Sequence, residues 1–249
     1  MGGCVARGRV LSRLCGVVAC WLAALSALAH SQEAALDPTA WPLSSIGRVN
    51  VVLGTARRSQ CTGTLVGPRH VITAAHCLFD KLRETWVHPT SVHFVAGYAR
   101  GTYTAHAQAV SYLTGAGSAL PSLPAAASED WAVIDLAEAI DLKPVRVSDE
   151  VLPSAGAPVV RAGYRGDRAH VLTIQADCFA EPWSPPPFKL LRTCGAVAGE
   201  SGSALIRHER GEPQIIGIVV AASARGSAAA SIAVPASTFA AAVAKALQP

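Results

Sequence analysis

Aromatic and charged residues are scarce in this chain: of 249 residues, 6% are Phe, Trp or Tyr and 15% are Asp, Glu, Lys or Arg. Internal repeats are absent, and alanine-rich patches near the C-terminus are the only compositional bias. There is no Cys-x-x-Cys pair, so the commonest spacing of a structural zinc site is missing. There is also little basic excess. Of the net charge of +4, Arg7, Arg9 and Arg13 supply three within residues 1–29, which hold no Asp or Glu. The remaining +1 makes no electrostatic footprint for nucleic acid, and no nucleic-acid partner is expected. The apolar run Leu14–Ala29 spans 16 residues, short of the ~20 that a membrane-spanning helix needs. What is plentiful is apolar side chain: 51% of the residues are hydrophobic, enough for a packed core and too much for a disordered chain.

The first 29 residues read as an address. Three arginines precede the apolar run, which ends in Ala27-Leu28-Ala29, the pattern of a secretory signal peptide with a small-x-small cleavage site. Val17-Val18-Ala19-Cys20 also fits a lipoprotein processing site, but the apolar run continues past Cys20. An exported protein, periplasmic or secreted, is therefore expected, with no membrane span after cleavage. Four cysteines lie beyond the address: Cys61, Cys77, Cys178 and Cys194. They suit two disulfides in an oxidising compartment. Each sequential pair is separated by 16 residues, a loop whose closure contributes about 3 kcal/mol in the chain-entropy account.

From Ile46 onward, short apolar runs alternate with Gly, Pro, Ser and Asp, the rhythm of an all-β barrel or sandwich protein. The pattern predicts strands at Arg48–Leu53, Cys61–Val66, His70–Thr73, Ser91–Ala96, His106–Tyr112, Trp131–Asp135, Val159–Gly163, Val171–Asp177, Ser203–Ile206, Gln214–Ala221 and Ser231–Val234. Helical periodicity is confined to Thr238–Leu247, where Phe239, Val243 and Leu247 share a face behind a possible Ser237 cap. Gly115–Ser128, Asp141–Gly156 and the proline-rich Glu181–Pro187 read as connections. The expected organisation is a signal peptide at 1–29, an extension or pro-segment at 30–45, and two halves of similar size at 46–145 and 146–249.

Three local patterns carry chemistry. Thr73-Ala74-Ala75-His76-Cys77 follows Cys61-Thr62-Gly63-Thr64-Leu65-Val66-Gly67, and a histidine beside a cysteine that can pair with Cys61 is held at a strand-to-loop corner, as a general base must be. Gly199-Glu200-Ser201-Gly202-Ser203 offers a serine in a tight turn where flanking glycines let backbone amides approach an oxyanion. It is not the Gly-x-Ser-x-Gly elbow of an α/β sheet, since Ser203 stands in the last place. In Glu129-Asp130-Trp131-Ala132-Val133-Ile134-Asp135-Leu136 an acid opens an apolar strand. Such a carboxylate can accept the second N–H of a histidine and fix its tautomer. Asp130 is preferred over Asp135, Asp80 and Asp141 because a small and an apolar residue follow its neighbour.

These blocks, with Ala162-Gly163-Tyr164 and Gly217-Ile218-Val219, resemble the trypsin/chymotrypsin-like serine peptidases, particularly bacterial secreted members related to the glutamyl endopeptidases. The likeness spans Ile46 to Ala240. It implies two six-stranded antiparallel β-barrels with the site between them, ahead of the C-terminal α-helix that the periodicity predicts. It further implies His76 as general base, Asp130 as its orienting acid, Ser201 as nucleophile, and the N–H groups of Gly199 and Ser201 as the oxyanion hole. Val220, Ala221 and Ala222 fall on the substrate-binding edge. The implied partner is a protein or peptide substrate, the implied state a monomer, and no metal or cofactor is called for. A non-catalytic peptide-binding protein on the same scaffold is the alternative. Two departures stand out. Glu200 replaces the Asp that in activatable members pairs with a newly cut N-terminus, and Cys194 lies seven residues before Ser201 rather than four.

Overall fold

A computed structural model describes residues 37, 39–117, 127–149, 156–182, 189–192, 194–209, 211–223 and 230–248. The expected signal peptide, Cys20 and residues 118–126, 150–155, 183–188 and 224–229 lie outside them. Both barrels fall within one compact unit, Pro38–Pro249.

The first eight strands are β1 (Ile46–Val52), β2 (Arg58–Gly67), β3 (His70–Thr73), β4 (Phe79–Asp80), β5 (Thr85–Trp86), β6 (Val92–Ala96), β7 (Ala105–Thr114) and β8 (Ala132–Leu136). Six of them close an antiparallel barrel in the order β1-β2-β3-β8-β7-β6, and β4 and β5 form a separate small hairpin. Alternation explains the closure: Val49, Val51, Leu65, Val71, Phe94, Ala107, Ala109 and Ile134 turn inward and are buried.

The remaining strands are β9 (Arg146–Val147), β10 (Ala157–Tyr164), β11 (Leu172–Pro182), β12 (Lys189–Arg192), β13 (Ala204–Glu209), β14 (Glu212–Ser223) and β15 (Ala230–Pro235). They run β13-β10-β11-β12-β15-β14, and a β13–β14 pairing joins the ends into a second six-stranded ring. The short β9 adds to β14 in parallel. The fold is thus all-β, two six-stranded antiparallel barrels, as the sequence pattern and resemblance implied.

Both expected disulfides form, Cys61–Cys77 in the first barrel and Cys178–Cys194 in the second. The terminal helix α1 (Ala240–Ala246) is shorter than the periodicity suggested, because a 3-10 turn at Ala236–Thr238 precedes it. Phe239, not Ser237, occupies the cap position, and no side chain caps the helix. Phe239 and Val243 are buried, while Leu247 remains 43% exposed. Phe239 packs near Trp131 of the first barrel, ring centroids 6.4 Å apart, so the chain's end ties the two barrels together.

Candidate active site

Three chain segments meet where the barrels face each other. β3 ends at Thr73, and a 3-10 turn, Ala75–Leu78, places His76 beside the Cys61–Cys77 bridge. A second 3-10 turn, Ala127–Glu129, delivers Asp130 just ahead of β8. Ser201 stands in the turn before β13 of the other barrel.

The three side chains form one hydrogen-bonded line. Asp130 Oδ2 lies 2.7 Å from His76 Nδ1, and its Oδ1 accepts the His76 backbone N–H at 2.8 Å. His76 Nε2 lies 2.8 Å from Ser201 Oγ. Asp130 is 1% exposed and His76 18%. The carboxylate is thus shielded from water on two hydrogen bonds to one residue, while the imidazole keeps one edge open to the cleft. That arrangement fixes Nδ1 as the protonated nitrogen and leaves Nε2 to face the hydroxyl. Asp135 lies elsewhere, partly exposed and within 3.7 Å of Arg69, and Asp80 is occupied by Arg57 at 2.7 Å.

Two glycines beside Ser201 are required by the backbone. Gly199 has φ +92° and Gly202 φ +82°, in the region that L side chains rarely adopt. A Cβ on Gly202 would also lie 2.1 Å from the Thr62 carbonyl oxygen. The turn is therefore pressed onto β2, and Thr62 holds it there. The Thr62 N–H donates to the Ser201 carbonyl at 2.8 Å, and its Oγ1 donates to the Gly199 carbonyl at 3.1 Å. The same Oγ1 accepts the Tyr164 N–H at 2.8 Å. These bonds orient the 199–201 backbone from the side opposite the cleft.

Glu200 points away from the cleft and is 1% exposed. Its Oε1 lies 2.8 Å from Nη2 of Arg161, which is equally buried, as a charge contact rather than an aligned hydrogen bond. Oε2 accepts the Val197 N–H at 2.9 Å. Arg161 also donates to the Gly195 carbonyl at 2.9 Å and to Gln175 Oε1 at 2.9 Å. Burial pulls the Arg161 pKa down and the Glu200 charge pushes it back up. Sequence reasoning passed over Arg161, although a lone cation inside the apolar strand Val159-Val160-Arg161-Ala162 must find an anion or leave a buried charge unpaired. Thr62 was missed for a different reason: it sits in a motif already read for its cysteine and glycine.

On one side of Ser201 lies a pocket of about 220 Å³ lined by Ala196, Val197, Ala198, Val219, Ala221 and Ala222. The expected edge residue Val220 is 2% exposed and packs into the main core, so it does not line the pocket, whereas Val219 does. The β14–β15 register shifts between Val219 and Ala221, so regular alternation is interrupted at Val220. On the opposite side a cleft of about 470 Å³ runs past His76, Gly199 and the Cys61–Cys77 bridge to Gln60, Ser59 and Arg57. The only group of three potential metal ligands among the described residues is Cys61, His76 and Cys77. Its sulfurs are spent in the disulfide, so it does not fit a metal.

Residues 61–218 match the family description "Trypsin-like peptidase domain". The chain belongs to the trypsin-like peptidase family. As a member it is a serine endopeptidase by class. No curated protein matches it in sequence. Among solved structures, a Glu endopeptidase in complex with MPD is 18% identical with a TM-score of 0.62, over 85% of this chain and 93% of that one. The protease Anisep from Arthrobacter nicotinovorans is 18% identical, TM-score 0.61, over 81% and 96%. A scabies mite inactivated protease paralogue, S-I1, is 16% identical, TM-score 0.64, over 82% and 94%. At such identities the likeness is one of fold, and the inactivated paralogue among them makes the point that activity must be argued from the site itself.

Proposed function

We propose that this trypsin-like peptidase cleaves peptide bonds by acyl transfer, with Ser201 as nucleophile, His76 as general base and Asp130 as the group that orients His76. The unbroken hydrogen-bonded line from Asp130 through His76 to Ser201 carries this reading. Ser201 Oγ attacks the scissile carbonyl as its proton passes to His76 Nε2. The imidazolium so formed is stabilised by Asp130 through Nδ1–H. Negative charge on the carbonyl oxygen is taken up by the N–H groups of Gly199 and Ser201, whose own peptide units are held through the Ala198 carbonyl accepting from the Gly166 N–H and the Glu200 carbonyl accepting from the Ser203 N–H, while Thr62 braces the next carbonyls along. Collapse of the tetrahedral species sends the Nε2 proton to the leaving amine. A water then attacks the acyl-Ser201 ester, gives its proton to His76, and releases the acid as the proton returns to Oγ.

The acyl side of the substrate lies toward Val219–Ala222 and the leaving side over the Cys61–Cys77 bridge. The small, side-chain-apolar pocket supports a preference for small uncharged aliphatic residues before the scissile bond. Arg161 takes the part that a new N-terminus plays in activatable relatives, supplying a cation to the acid before the nucleophile from within the fold. Ile46 is meanwhile built into β1, paired with Thr64, and buried Ser45 donates from Oγ to the Lys143 carbonyl at 2.7 Å. No cut at Ile46 is needed on this account. The two disulfides and the N-terminal address support export to the periplasm or beyond.

The test is hydrolysis of peptide p-nitroanilides differing only in the residue before the scissile bond, by the purified chain and by Ser201→Ala. Cleavage after Ala or Val that vanishes in the variant is expected. Equal cleavage by the variant contradicts the mechanism; a folded, inert wild type points to a peptide-binding relative; preference for Glu or Arg contradicts the pocket assignment.

A further inference from the structure

The outer face of the first barrel carries a feature that peptide-bond chemistry does not use. Residues 46–67 and 87–117, which include β1, β2, β6 and β7, hold no Asp or Glu at all. Pairing registers lay their outward side chains in neighbouring rows: Gln60 beside Asn50 beside His93, and Arg48 beside Val95 beside His106, with Arg58 opposite Val52. Together they line a groove of about 530 Å³. Ser59 and Gln60 line both this groove and the cleft that holds His76 and Ser201, so the two are continuous along β2.

The groups in the groove are donors without enough acceptors. Arg48 Nε and Gln60 Nε2 are buried with no hydrogen-bond partner among the described residues, which is costly unless a ligand supplies an acceptor. The Arg48 guanidinium is held in place, its Cζ 4.6 Å from the Tyr98 ring centroid and Nη1 donating to the Ala169 carbonyl at 3.3 Å. His93 Nδ1 and His106 Nε2 lie 3.0 Å apart with their rings stacked. Burial and the neighbouring His106 hold the His93 pKa below its ordinary value, and the guanidinium groups of Arg48 and the exposed Arg58 bring permanent positive charge to the groove. Within the adjoining cleft the one buried acid, Asp80, is already neutralised by Arg57.

We infer that this groove binds carboxylates of an acidic peptide segment on the leaving side of the scissile bond, so that the protein favours substrates with Asp or Glu a few residues beyond the cut. The inference rests on the proposed reading of the cleft as the substrate cleft. Arg58 lies three residues along β2 from Cys61, roughly 10 Å at strand spacing, which an extended substrate covers in three residues. The acidic positions are therefore about the third to fifth after the bond.

The test compares internally quenched peptides identical up to the second residue after the bond and ending in four acidic, four amide or four lysine residues. The acidic peptide is expected to show about tenfold higher kcat/KM than the amide one at low salt, an advantage that shrinks in 0.5 M NaCl. Arg58→Glu should abolish or reverse that advantage while leaving a p-nitroanilide, which has no residues beyond the bond, cleaved at the normal rate. The p-nitroanilide also reports that the variant is folded. No acidic advantage, or one that survives Arg58→Glu, overturns the inference. If the wild type cleaves nothing, the function reading has failed separately, and fluorescence anisotropy of the acidic tail peptide on Ser201→Ala still decides the groove. Binding lost in Ser201→Ala/Arg58→Glu supports it, and no binding, or binding of heparin but not of the peptide, contradicts it.

Discussion

Two carboxylates flank the cleft, both 1% exposed, and they are put to opposite uses. Asp130, from the first barrel, spends both oxygens on His76 and so acts on a group that must change its protonation in every turnover. Glu200, from the second barrel, spends its oxygens on Arg161 and the Val197 N–H, and acts on the backbone shape of the 196–201 turn. Burial alone does not distinguish a reactive acid from a structural one; the partner does. An imidazole can carry a proton in transit, whereas a guanidinium stays charged.

Substitutions sharpen that contrast. Asp130→Asn should lower kcat by about 10⁴, because an amide facing Nδ1 favours the wrong histidine tautomer. The melting temperature should change little, and steady-state kinetics beside calorimetry checks both. Arg161→Met should behave differently, lowering stability by up to about 3–5 kcal/mol because Glu200 loses its buried partner and keeps only Arg165, 3.9 Å from Oε2, with activity falling as the turn loses its shape. Adding Glu200→Gln to that variant should regain part of the stability in denaturant titrations and little of the activity. A smaller effect is expected for Thr62→Val, which keeps the volume but leaves the Tyr164 N–H and Gly199 carbonyl unpaired. It should cost about 1–3 kcal/mol and depress kcat/KM more than it raises KM.

The smallest effect belongs to a third acid, outside the pair. Arg57 beside Asp80 holds that carboxyl down at about 2. A depressed folded-state pKa gives stability that is complete above the unfolded value near 4 and is lost as pH falls toward 2. Arg57→Ala should therefore flatten the stability–pH curve only below about pH 4, as thermal melts at pH 2–5 would reveal.

Much of the fold was legible because its strands are apolar runs bounded by Gly, Pro, Ser and Asp: His70–Thr73 matches its expected bounds, and the other expected strands differ only at their ends. Of the strands that escaped, β4, β5 and β9 are two residues long, too short for a period to show, and β12 follows closely on the proline-rich stretch read as a connection. The Ser237 cap failed because a 3-10 turn absorbs Ala236–Thr238 before the helix starts. At the site, His76, Asp130 and Ser201 stand in recognisable local blocks, and the structure brings them into contact. Arg161 and Thr62 are harder to read, since their partners Glu200 and Gly199 lie far away in sequence: the folding of the second barrel brings Glu200 to Arg161, and the packing of one barrel on the other brings Gly199 to Thr62.

The claim on which the rest depends is that Ser201 is activated in a chain whose residues ahead of Ile46 remain attached. Fluorophosphonate labelling of such a chain, read by intact mass and peptide mapping, tests it directly. The account predicts one phosphonyl group, on Ser201, with residues 39–45 still in place and no adduct in Ser201→Ala. A folded chain that takes no label, or takes it only after cleavage between Ser45 and Ile46, would contradict it.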